Sequence, residues 1–127
     1  MAEGKIARSV NYQWVTIASG AAITAVINTA DAAGGAVLIP SAWTAANLGF
    51  QMPPDSGTTG TFVALKDEAG NPVQISSITT DASFWYAIPA EVFPAATIKL
   101  WSKSTTAATV TDTNQNAARS ILVVLKS

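Results

Sequence analysis

Cysteine and histidine are both missing from this 127-residue chain. Without cysteine there can be no disulfide framework and no thiolate metal site. Without histidine there can be no histidine-based catalytic triad, no imidazole general base and none of the usual zinc or iron ligand sets. Charge is scarce as well: Asp, Glu, Lys and Arg make up 12% of the chain, against about 25% in an average soluble domain. Eight acidic and seven basic residues leave a net charge of −1, and neither sign forms a run. The electrostatic footprint of a nucleic-acid or anionic-membrane binder is therefore lacking. No window approaches the ~18 uninterrupted apolar residues of a membrane-crossing helix. The opening residues, MAEGKIARSVNYQ, lack the apolar core of a signal peptide, so synthesis in the cytoplasm is the expectation.

Ala, Thr and Ser fill the places that charges leave. A surface poor in Lys and Glu has less side-chain entropy to lose on association, which suits outer faces packed against neighbours. Length bounds the chain to one domain. Residues 1–13 show little apolar periodicity and are expected as an N-terminal arm, with the domain proper over 14–127.

The organising stretch is Asn47 to Ser77. Leu48, Phe50 and Met52 alternate with Gly49 and Gln51, the period of a half-buried strand. Pro53 and Pro54 end it. Thr61–Leu65 resumes extended structure, and Asp67–Asn71 is a hairpin-type connection in which Gly70 and Asn71 tolerate positive φ. Before it, Trp14–Ile17 and Ala21–Asn28 read as two strands, the second with Ile23, Ala25 and Ile27 on one face. Ala36–Ile39 reads as an inner strand stopped by Pro40, and Ser41 as the N-cap of one helical turn. After it come a strand at Phe84–Ile88 and a single helical turn over Pro89–Phe93. Thr97–Lys103 alternates, with Ile98 and Leu100 on one side and Lys99, Trp101 and Lys103 on the other. Residues 104–117 read as a long exposed loop. The last strand, Arg119–Lys126, is apolar on both faces from Ile121 to Leu125, as a central strand or a covered edge would be.

About eight short strands with frequent turn signals and no long amphipathic helix predict an all-β fold, an antiparallel β-sandwich, jelly-roll-like, with one or two single-turn helices. Only carboxylates could carry catalysis. Asp31, Asp55, Asp67, Glu68, Asp81, Glu91 and Asp112 all fall in turns or loops, where Asp is favoured simply for bonding nearby backbone donors. No catalytic, metal or cofactor site is expected. Of Trp14, Trp43, Trp85 and Trp101, two or three are expected as core or interface anchors. Trp101, flanked by Lys99 and Lys103, is expected on an outer face covered by a neighbouring subunit.

The order SVNYQ…VTIASG, GAVLIPSAWTAANLGFQ, FVALKDEAGNPV, AIPAEVF, TIKLWS and AARSILVVL resembles a group of small β-sandwich structural proteins of tailed bacteriophages, over most of residues 9–126. The sequence departs from that pattern at Met52-Pro-Pro-Asp55. The resemblance implies a virion component without catalytic residues: a capsid decoration or cement protein on the outer shell, bound to the major capsid protein and to copies of itself as a trimer. Its candidate partner-binding residues are Lys5, Ile6 and Arg8 of the arm, Lys99, Trp101 and Lys103 of the strand face, and Thr113 and Asn114 of the loop. A tail, neck or fibre-associated adaptor is the alternative within the virion. A carbohydrate-binding sandwich that attaches the particle to a host glycan is the alternative from another class.

Overall fold

A computed structural model of the chain describes residues 10–55, 60–104 and 111–127. Nine strands run through these residues: β1 Val10–Ile17, β2 Ile27–Asn28, β3 Gly34–Ile39, β4 Asn47–Met52, β5 Val63–Ala64, β6 Gln74–Ile75, β7 Phe84–Ala87, β8 Thr97–Lys103 and β9 Arg119–Lys126. One sheet has the order β1-β9-β3-β7 and the other β2-β8-β4-β5, with β6 also on β4. Every pairing is antiparallel. Because β5 and β6 share one position beside β4, the two sheets carry the strand order of a jelly roll. The predicted all-β sandwich is the fold that forms.

Alternation decides what lies between the sheets. Val15 and Ile17 of β1, Val37 and Ile39 of β3, and Ile121, Val123 and Leu125 of β9 point inward from the first sheet. Ile27, Leu48, Phe50, Ile75, Ile98 and Leu100 meet them from the second, and all are buried in one cluster with Trp43 and Val92. Period-2 patterning therefore places the inward sets correctly on β4 and β8. β9 lies between β1 and β3, so it is a central strand. The Asp67–Asn71 connection is a turn as expected: Asp67 Oδ1 accepts from the Ala69 and Asn71 amides at 2.9 Å each, and Gly70 sits at φ +84°.

Several expectations are corrected. β1 starts at Val10, so residues 10–13 belong to a strand that pairs β9 along its whole length, not to the arm. Residues 1–9, with Lys5, Ile6 and Arg8, lie outside the described residues. The strand expected over Ala21–Asn28 makes ladder pairings only at Ile27–Asn28 and at Ile23, all with β8, and between them the ladder is interrupted at Thr24, whose Oγ1 accepts from the Leu100 N–H at 3.1 Å. Ser41 caps no helix. The backbone turns instead at Ala42, held at φ 64°, which swings Trp43 into the core. The turn after Pro89 does form, as a 3-10 turn over Ala90–Val92.

Candidate docking surface

The residues singled out on β8 gather in one place, but that place is closed. Lys99, Trp101 and Lys103 share the outer face of the second sheet. β4 flanks β8 on one side, with Gly49 opposite Trp101. On the other side Ile23 stands opposite Trp101 and Asp112 opposite Lys103. The indole donates from Nε1 to Asp112 Oδ1 at 2.6 Å, and Trp101 is left 9% exposed. Gly49 lets this happen: a Cβ there would lie 2.8 Å from Lys103 Cδ and 3.2 Å from Trp101 Cε3. Trp101 is therefore covered by its own chain and not by a neighbouring subunit. Alternation marks the face but not its cover, because Asp112 is eleven residues away in what reads as featureless loop.

That segment is not a free loop where it is described. Ser102 and Thr113 exchange two hydrogen bonds, Thr113 N–H to Ser102 O at 3.0 Å and Ser102 Oγ to Thr113 O at 2.7 Å. Thr113 is half-buried and Asn114 exposed. Gln115 is wholly buried. Its Nε2 donates to Thr44 O and Ser102 Oγ, while its Oε1 accepts from Thr44 N–H and Arg119 Nε. Nothing in the sequence marks Gln115 apart from its neighbours, since a buried amide is defined by partners that are 71 residues distant in the case of Thr44.

Lys103 is the odd member of this cluster, an ammonium on a residue 3% exposed. Its nitrogen lies 5.8 Å from the Trp101 ring centroid, and among the described residues no carboxylate pairs with it. Desolvation holds its pKa below the ordinary 10.5. In the window between the lowered folded value and 10.5 the unfolded chain binds a proton that the folded chain does not, so stability rises with pH there. Below that window the ammonium form costs the fold. Lys103→Met keeps the stem that lies over Gly49 and removes the charge. It is expected to raise stability at pH 7 and to flatten the alkaline rise, read from denaturant midpoints at pH 7 and pH 10.

Apolar surface is left open elsewhere, on the outer face of the first sheet. Cross-strand register sets Trp14, Leu122, Leu38 and Trp85 in one row across all four strands. The neighbouring row is Tyr12, Val124, Ala36 and Ala87, and the next begins Val10, Lys126 and Gly34. Tyr12 and Trp14 are each 64% exposed and Trp85 49%. Lys126 is the one charged residue among the outward residues of these strands. Strands stand about 4.8 Å apart, so the row spans about 14 Å between its two tryptophans. These rows form one contiguous, partly open apolar patch, the kind of surface that is often functional on soluble proteins. Beside it the small side chains at Gly34 and Ala36 leave an open apolar depression of about 360 Å³, lined also by Val10, Val124 and Lys126.

A cleft of about 450 Å³ opens at the same end of the sandwich, lined by Asn11, Gln13, Asn28, Asp31, Ala32 and the end of β9. Asp31 is the one carboxylate side chain in its lining, which therefore offers no pair of carboxylate side chains. Among the described residues no three His, Cys, Asp or Glu side chains converge to hold a metal ion, and no helix is long and apolar enough to cross a membrane. No family model, no curated protein and no solved structure matches this chain.

Proposed function

We propose that the chain is a structural protein of a bacteriophage virion, a capsid decoration protein that docks on the outer shell through the outer face of the β1-β9-β3-β7 sheet. The observation that carries this is the uncovered row Trp14–Leu122–Leu38–Trp85. Two indoles at the ends of a charge-poor sheet face are rigid anchors that lose little entropy on burial. The sequence resemblance to phage β-sandwich proteins supplies the kind of partner, the major capsid protein. Seating this face across a boundary between shell subunits would bury it, so that disassembly must expose it again. An interface of standard size buries about 1,600 Å², and repetition over a shell multiplies modest single contacts into large avidity.

The test uses shells assembled from the cognate major capsid protein, with copy number from quantitative mass spectrometry and position from electron cryomicroscopy. Binding across the whole shell is expected, insensitive to salt because the face carries almost no charge. Trp14→Ala and Trp85→Ala should each weaken it by about 30-fold, the loss of an aromatic anchor. Unchanged binding by the double variant would remove the proposal. A copy number that follows a single ring would assign the chain to the tail or neck. Exposed Tyr12 and Trp14 also favour one reading of another class, stacking on a sugar ring of a host glycan. Glycan-array binding that Trp14→Ala abolishes, with no binding to shells, would select it.

A further inference from the structure

A jelly roll leaves strand edges at the ends of both sheets, and here they are treated unequally. β7 is four residues long, and β2 and β5 are two residues each. Short edges offer little template for another strand. β1 is eight residues long and pairs β9 without a bulge from Val10↔Lys126 to Ile17↔Arg119. Among the described residues no backbone or side-chain group bonds to its other edge. Its sequence, VNYQWVTI, contains no charge, proline or glycine, so among the described residues the usual devices that stop an edge from pairing are lacking.

We propose that this edge pairs with β1 of a second copy of the chain, antiparallel, about a two-fold axis at Gln13. A closed two-fold pair needs a surface that complements itself, and β1 meets that condition. With Gln13 opposite its own copy, Tyr12 faces Trp14 and Val10 faces Thr16 on the outer side, while Asn11 faces Val15 on the inner side. Each pairing keeps side chains on a common face, as antiparallel register demands. The Tyr12–Trp14 pairs then form twice, from two of the most exposed aromatic residues in the described chain. No like charges meet, because the strand has none. The two four-stranded sheets become one sheet of eight strands, with the outer apolar rows running on across the join.

The contact is small. Seven paired residues make a ladder about 23 Å long, which with the aromatic pairs stays near or below the ~1,200 Å² at the lower end of stable complexes. A concentration-dependent dimer is the expected form. Sedimentation velocity on the isolated chain should show dimer growing as concentration rises through the micromolar range, while Gln13→Lys and Gln13→Glu each stay monomeric through like-charge contact on the axis. An equimolar mixture of the two variants should dimerise again. The native chain has no cysteine, so Gln13→Cys gives a second measurement: oxidation should link two chains, whereas Ala87→Cys on the β7 edge should not.

Circular dichroism of each variant reports whether the fold is kept. A wild-type chain that remains monomeric at high concentration, or a Gln13→Lys variant that dimerises as wild type does, would overturn the pairing. So would a mixture that stays monomeric with no Gln13→Cys cross-link. An edge that serves an extended segment of another protein gives the first of these results. This proposal and the shell-docking reading fail separately: a monomer that binds shells removes only the pairing, and a dimer that binds none removes only the docking.

Discussion

Trp43→Ala is expected to destabilise the chain by about 4 kcal/mol, the range found for deleting a large buried aromatic side chain. Trp43 is among the largest fully enclosed side chains of the core and packs with Ile39, Leu48 and Val92 in the central cluster. It is held there by the turn at Ala42 and by its own indole, which donates to Ala46 O at 3.2 Å. Alanine would leave a cavity between the sheets and take the donor from a carbonyl beside the core. For a domain of this size the loss corresponds to a fall of roughly 15 °C in the unfolding midpoint. Circular dichroism during thermal and urea unfolding measures it. Trp14→Ala is the matched control, expected to shift stability by about 0.5 kcal/mol or less because Trp14 lies on open surface. Equal effects from the two would mean that the division into core and surface tryptophans is mistaken.

Gln115→Leu is the second large effect, about 3 kcal/mol, and it has a different cause. Leucine fills nearly the same volume, so little cavity forms. What is lost is four hydrogen bonds to Thr44, Ser102 and Arg119. The Thr44 amide and carbonyl then remain beside the core without partners, each at a penalty of about 1–3 kcal/mol unless water reaches them. The Gln115 side chain also holds the 111–115 segment against β8, its Nε2 donating to Ser102 Oγ at 2.9 Å. Hydrogen exchange should therefore quicken first at the Thr113 and Gln115 amides, ahead of the β9 ladder. A variant as stable as wild type, with slow exchange at both, would show that the amide network contributes nothing.

The sequence carried the fold where structure is periodic. The inward sets of β4 and β8 follow from alternation alone, the central place of β9 from its two apolar faces, and the hairpin at Asp67–Asn71 from turn chemistry. It misled where a side chain's surroundings come from far along the chain. Trp101 alternates as an outward residue and does sit on the outer face, yet Asp112, Ile23 and Lys103 close over it. The exposed aromatic face of β1 is illegible for the opposite reason. Val10, Tyr12 and Trp14 alternate with Asn11 and Gln13, so the apolar set looks like the inward one. Only the pairing of Val15 and Ile17 with the core shows that the aromatic set of β1 points out. Where alternation meets an apolar outer face, pattern alone cannot choose between the two sides.

The pairing of Val10 with Lys126 has a mechanical consequence. The first and last strands are neighbours that begin and finish at one corner of the sandwich. Tension applied across that corner runs perpendicular to the strands, along the β1–β9 hydrogen bonds. Such a load peels the ladder one rung at a time from Val10 toward Ile17, where a load along the strands would strain all rungs together. A sandwich strung by this corner yields at low force, whereas one pressed flat by its broad outer face carries load through the whole core.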